Sequence, residues 1–313
     1  MHFPAELRQK ISELTAGLPV GSLADAAKTV SDRYRRTVTA DLQIQNEIEA
    51  KAYIAARLPA TFGVAGEVLT RLSNIWPEMQ PQSILDLGAG PGTATLAARK
   101  IWPDLSATLV ERNRYLQAIG EQLLGTGDWK AQSLHAYMPE NHDIVIGSYV
   151  FNEIADLSSL IERFWASAAK AFVIIEPGTP QGYDIVIKAR DILLRQGAFL
   201  AAPCPHHFTC PLINSGRWCH FSKRIERSQL HRLLKEEASL PYEDEKFSYL
   251  VATRQGFEHP VFRTLGHSHG EKLVEIETCQ QNGAFEIIKK SRRDPEFKKI
   301  KRLDWGDAYF DEV

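Results

Sequence analysis

The segment SILDLGAGPGTATLAA, residues 83–98, constrains the fold more than any other part of the chain. A short apolar run carries Asp86 near its end, three glycines follow at alternate positions (Gly88, Gly90 and Gly92), and a helix-compatible stretch begins at Thr93. Glycines let a backbone turn sharply and approach a ligand where a Cβ would collide. The texture downstream agrees: SATLVE, DIVIGSYV and AFVIIEP are further apolar runs, separated by helix-compatible segments at 93–102, 113–124 and 157–168. Strands alternating with helices predict an α/β fold with a parallel, doubly wound sheet.

The loop also narrows the ligand. In a dinucleotide G-x-G-x-x-G loop the third glycine would fall where Thr93 stands, and no Lys-Ser/Thr pair follows for a triphosphate. The D-x-G-x-G-x-G form, with Glu111 at the end of the next strand, looks like the S-adenosylmethionine loop of class I methyltransferases, where that acid accepts hydrogen bonds from the ribose hydroxyls. The competing reading is a tight strand-to-helix turn with no ligand. The end of the fourth strand, which faces the reacting atom in such enzymes, carries Tyr149, Asn152 and Glu153. Asn152 is a candidate to orient a substrate amide or the cofactor's amino-acid moiety, and Glu153 a candidate base, but both also suit the capping of the following helix. The Asn/Asp-Pro-Pro-aromatic sequence of amino-group methylation is absent there. APCP around Cys204 follows the fifth strand rather than the fourth, so no catalytic residue is assigned.

The segment CPHHFTCPLINSGRWCHF, residues 204–221, holds three of the four cysteines and three of the ten histidines. Its spacing is C-x5-C-x8-C, with Cys279 distant, a poor match to the close ligand pairs of zinc ribbons and fingers. Three clustered thiolates and one distant one suit an iron-sulfur cluster, whose ligands follow no universal spacing. The alternatives are a Cys3His zinc site completed by His206, His207 or His220, with Cys279 a small buried residue, and separate core cysteines with solvated histidines.

Residues 5 to about 80 read as helical, with Pro59 and Pro77 as breaks, and a helix is predicted over 182–196. KFSYLVAT reads as a strand, and KLVEIETC and AFEIIKKS as a hairpin joined by QQNG. The expected organisation is an N-terminal helical region at 1–80, a methyltransferase-like core at 81–200 and a Cys/His-rich insertion at 201–235. C-terminal strands at 236–286 and a basic tail at 287–313 complete it. A net charge of −2 gives no global reason to expect nucleic acid, so any basic surface is local. The local run is Lys289, Lys290, Arg292, Arg293, Lys298, Lys299, Lys301 and Arg302, able to neutralise phosphates without reading bases. The N-terminal residues lack the pattern of a signal or transit peptide, and no apolar run approaches membrane-spanning length. A monomer in a reducing cytoplasm is expected, with the cysteines as thiols or metal ligands.

LDLGAGPGT, SYVFNE, EPGTPQGYDIVIKARDILL, APCPHHFTCPL with RWCHF, DEKFSYLVATR and WGD together resemble the methyltransferase-like assembly factors of the small ribosomal subunit, the mitochondrial members and their bacterial relatives. The pieces span most of the chain. The resemblance implies a class I methyltransferase fold that binds S-adenosylmethionine through Asp86 to Gly92 and a 4Fe-4S cluster ligated by Cys204, Cys210, Cys219 and Cys279. It also implies association with the small ribosomal subunit and its rRNA. Two other functions are weighed beside the assembly factor: an active rRNA methyltransferase, and a small-molecule methyltransferase with a structural zinc site.

Overall fold

The computed structural model describes residues 2–36, 44–154, 156–234 and 240–311. In chain order the elements are α1 (Ala5–Thr15), α2 (Val20–Arg36), α3 (Glu47–Ile75), β1 (Ser83–Leu87), α4 (Thr93–Arg99), β2 (Ser106–Val110), α5 (Arg114–Leu124), β3 (Asp128–Lys130), β4 (His142–Ser148), α6 (Leu157–Ser167) and β5 (Ala168–Pro177). There follow α7 (Pro180–Arg195), β6 (Phe199–Ala202), β7 (Phe221–Glu226), α8 (Gln229–Leu234), β8 (Tyr242–Thr253), β9 (Phe262–Thr264), β10 (Leu273–Gln280), β11 (Phe285–Ser291), α9 (Phe297–Lys301) and β12 (Ala308–Tyr309). Two compact units divide the chain: Met1–Ala169 with Lys223–Glu245, and Lys170–Ser222 with Lys246–Val313. These borders differ from those expected, since 169/170 falls inside the span 81–200. The expected border at 235/236 lies in residues 235–239, outside the described residues.

The first unit holds a parallel sheet in the order β3-β2-β1-β4. Its helices include α3, buried over most of its length and packed against α1, α2, α4 and α5. The start of α3 is fixed by reciprocal hydrogen bonds: Asn46 Oδ1 accepts the Glu49 N–H at 2.9 Å and Asn46 Nδ2 donates to Glu49 Oε1 at 3.1 Å. Arg33 from α2 adds two bonds to the same carboxylate. Pro59 does not break this helix as its sequence suggested; α3 runs through it. A proline removes one backbone hydrogen bond, and here apolar packing on all sides of α3 holds the helix across that gap.

The second unit contains two sets of paired strands. In one, β8 lies antiparallel to both β5 and β6. The other has the order β11-β10-β9-β12 and is antiparallel throughout. Its core is Phe262, Val274, Ile276, Phe297, Ile300 and Tyr309. The basic segment expected as a tail is therefore folded: it supplies part of β11, α9 and β12, and buries Phe297, Ile300 and Tyr309 against β9 and β10. The predicted hairpin forms, pairing Cys279 with Phe285 across β10 and β11. Among the described residues no helix is long and apolar enough to cross a membrane.

Candidate functional site

In the first unit, a cavity of about 180 Å³ opens at the C-terminal ends of β1, β2 and β4, lined by Asp86, Gly88, Gly90, Glu111, Asn113 and Tyr149 among others. Ligands of open α/β sheets collect at this edge. The three loop glycines all have positive φ, +60° at Gly88, +55° at Gly90 and +76° at Gly92, but for unequal reasons. A Cβ on Gly88 would lie 2.2 Å from Val150 Cγ2, and one on Gly92 2.1 Å from Leu124 Cδ1. On Gly90 it would meet nothing nearer than Leu116 Cδ1 at 4.0 Å, so this glycine answers to backbone conformation rather than packing.

The two acids divide the work. Glu111 follows β2, buried, and its carboxylate spans two backbone donors: Oε2 accepts the Gly90 N–H at 2.8 Å and Oε1 the Asn113 N–H at 2.6 Å. Burial raises its pKa, against the pull of those N–H groups. Asp86 points at the following helix instead, where its Oδ2 accepts both the Thr95 N–H at 3.1 Å and the Thr95 hydroxyl at 2.7 Å. Burial pushes the Asp86 carboxyl up to about 7, the Thr95 donors opposing and the Glu111 charge adding to the rise. Asn113, which the sequence reading passed over, caps α5 through Oδ1 and donates from Nδ2 to the Ile44 carbonyl at 2.7 Å. Its signal was its place just before an amphipathic run.

Beyond β4, Tyr149 takes the left-handed conformation at φ 59°. Such backbone is unusual for an aromatic residue and tends to occur at functional sites. Its hydroxyl donates to Glu245 Oε1 at 3.5 Å, and Glu245 receives both guanidinium arms of Arg57, at 2.7 and 3.1 Å. Asn152 is exposed in the single 3₁₀ turn Phe151–Glu153 and does not line the cavity. The side chain of Glu153 lies outside the described structure.

In the second unit, Cys204, Cys210, Cys219 and Cys279 line one cavity and none is in a disulfide. Cys210 and Cys279 are buried, Cys204 and Cys219 half-buried. Cys204 follows β6, Cys210 and Cys219 lie in the loop before β7, and Cys279 comes from β10. The Tyr183 hydroxyl lies 3.3 Å from Cys210 Sγ, and the Ser248 hydroxyl donates to the Cys219 carbonyl at 2.8 Å. His206 Nε2 lies 3.3 Å from Cys279 Sγ, whereas His207 Nε2 accepts the Leu200 N–H at 2.9 Å and His220 stacks on Trp218. Burial pushes the Cys219 and Cys279 thiols well up, and the nearby cysteines add to the rise. At Cys204 burial again raises the thiol, with Arg190 opposing. Among the described residues, no group of three or more His, Cys, Asp and Glu that could hold a metal ion is found. The metal site expected there is not found preformed among the described residues: three of the thiols come from the segment 201–235 and the fourth, Cys279, from β10, and all four line a common cavity.

Sequence reasoning missed two residues of this cavity, Arg190 and Arg263, which are 1% and 6% exposed. Arg190 had a signal, because Tyr183, Val186, Arg190 and Leu193 fall on one helical stripe, all buried.

The basic residues are spread over β11, the following turn and α9. Lys289 pairs with Glu275 at 2.8 Å, Lys290 contacts Asp294 and Glu296, and Lys299 lies over the Tyr309 ring. Arg293, Lys298, Lys301 and Arg302 are exposed. Arg292, also exposed, donates to the Glu271 carbonyl at 3.1 Å.

A glycine loop after β1, an acid after β2 and strand runs 3-2-1-4 and 5-8-6 with β8 reversed are the parts of a class I, Rossmann-like methyltransferase fold. The family model of the mitochondrial small ribosomal subunit protein Rsm22 matches residues 47–310, and the chain belongs to that family. It is similar to the human mitochondrial ribosome assembly protein METTL17, 24% identical over 82% of this chain and 61% of that protein. It is also similar to Rsm22-cox11 tandem protein 2 of Schizosaccharomyces pombe, 24% identical over 97% of this chain and 48% of that one. The chain thus spans between about half and three fifths of the length of these relatives. Among solved structures it is similar to the plantazolicin methyltransferase BpumL in complex with SAH, at 14% identity and a TM-score of 0.43, covering 80% of this chain and 100% of that one.

Proposed function

We propose that this chain is an assembly factor of the small ribosomal subunit that binds S-adenosylmethionine in its first unit and carries a 4Fe-4S cluster in its second. The observation that carries the reading is the Rsm22 match over residues 47–310, which takes in the glycine loop and all four cysteines.

The first cavity fits the cofactor. Gly90 presents open space, and a carboxylate that already accepts two N–H groups keeps further lone pairs, so Glu111 is placed to accept ribose hydroxyls. Bound there, S-adenosylmethionine would supply an electrophilic methyl group. The second cavity offers the donor set of a cluster: four free thiols line it together. The exposed cations Arg293, Lys298, Lys301 and Arg302 supply the means for phosphate contact with rRNA.

The test is made in cells lacking the protein. Accumulation of small-subunit precursors with every rRNA methyl mark intact supports the assembly factor. Loss of one mark, read by mass spectrometry of the rRNA, decides for the second reading, an active rRNA methyltransferase, which the intact loop and open cavity favour. Normal subunits with all marks present would overturn both. Anaerobic purification tests the metal: a brown protein with iron and sulfide is expected, and a colourless one with stoichiometric zinc would sink the cluster.

A further inference from the structure

Two buried cations share the cavity with the four thiols. Arg190 comes from α7 and Arg263 from β9, and both line it together with Cys204, Cys210, Cys219 and Cys279. Burying a charge is costly unless it is paired and hydrogen-bonded. Arg263 donates from Nε to the Pro203 carbonyl at 2.6 Å and from one terminal nitrogen to the Gly306 carbonyl at 3.0 Å. Arg190 donates to the Phe208 carbonyl and, at 3.4 Å, to that of His206, while its Nε is buried with no hydrogen-bond partner among the described residues. The carbonyl oxygens around Arg190 solvate its guanidinium without neutralising it. Among the described residues the carboxylate paired with Arg190 is that of Asp191, 3.4 Å away and 46% exposed, where solvent weakens the pairing.

We infer that Arg190 and Arg263 are the charge counterparts of the thiolate cage, holding four deprotonated cysteines around a dicationic core as a unit of zero net charge. Four thiolates contribute four negative charges, the core two positive ones and the arginines two more, so the charges sum to zero. The inference rests on the cluster reading of the preceding subsection and deepens it by assigning residues outside the ligand set. Both arginines act through the ligands rather than as ligands, because a guanidinium has no lone pair to offer a metal. Their effect is electrostatic: a one-electron reduction adds a negative charge to the core, and a buried cation nearby favours the reduced form. Removing either arginine therefore lowers the reduction potential, as net charge and hydrogen bonding near a cluster dictate.

The experiment compares the anaerobically purified full chain with Arg190→Gln, Arg263→Gln and Arg190→Lys, measuring iron and sulfide content and the midpoint potential by a redox titration followed by electron paramagnetic resonance. Each Gln variant should titrate at a more negative potential than the parent, and Arg190→Lys should stay near the parent because the charge is kept. Arg263→Gln carries the test independently where Arg190→Gln does not fold. Iron and sulfide in the parent with unchanged potentials in the folded Gln variants would overturn the charge assignment and leave the cluster reading standing. A parent without iron and sulfide would overturn the cluster reading, and the charge assignment with it.

Discussion

The two cavities are built by opposite strategies. In the first unit the hydrogen-bonding groups that shape the glycine loop lie close in sequence: Asp86, the glycines, Thr95, Glu111 and Asn113 come from β1, α4, β2 and the turn after it, and backbone N–H groups supply much of the bonding. In the second, four thiols and two guanidiniums arrive from β6, β9, β10, α7 and an irregular loop, with little regular structure around the sulfurs. The first site is a property of a supersecondary motif and the second a property of the tertiary fold. The first should then survive changes that ruin the second, whose members lose their common centre when one is removed.

The largest contrast comes from Cys279→Ser. Loss of nearly all iron and sulfide is expected, while S-adenosylmethionine binding measured by calorimetry stays at the parent value; loss of both would mean the sites are not independent. Next is Gly88→Ala against Gly90→Ala. The first adds a Cβ 2.2 Å from Val150 to a backbone held at positive φ and should cost about 3 kcal/mol in denaturant unfolding, strain and overpacking together. The second meets open space and should cost only about 1 kcal/mol. Equal costs would show that the loop moves to accommodate the methyl group.

Glu111→Gln should weaken S-adenosylmethionine binding by roughly tenfold or more, since one carboxylate oxygen that meets a backbone N–H becomes an amide donor. Most diagnostic is the pH response of Asp86. Its folded pKa of about 7 lies above its ordinary value of 3.8, so between those limits the folded state holds a proton that the unfolded chain has lost. Stability should fall as pH rises through that window, by at most about 1.4 kcal/mol per pH unit. Asp86→Asn retains an oxygen for the Thr95 donors and should lack that slope, so the difference between the two proteins' stability-pH curves isolates the Asp86 contribution.

This contrast also governs what could be read from the sequence. The glycine loop and Glu111 were legible because local spacing dictates their geometry. The four cysteines were legible as a set, but their common cavity was not, because the approach of β10 to the loop of residues 204–219 is a tertiary event. Arg190 shared a legible buried stripe on α7, but its role did not follow from it: an arginine there reads as a break in the apolar pattern, and its buried partners are carbonyls 16 and 18 residues on. The basic segment misled in the other direction. Its charge density suggested a basic tail able to meet phosphates, yet Phe297 and Ile300, three residues apart, turn one face of α9 into the core. Pro59 misled because a propensity rule yields to burial along a long helix.

The chain passes between its two units three times, after Ala169, Ser222 and Glu245. A fragment ending at Ala169 would lack Lys223 and Glu245, which pair with Glu67 and Arg57, and a fragment beginning at Lys170 would carry that strip away from its partners. Neither unit can therefore be inherited as a contiguous cassette. Recombination that moved one of them would have to cut and rejoin at several points together, which ties the lineage of the glycine loop to that of the cysteine cavity.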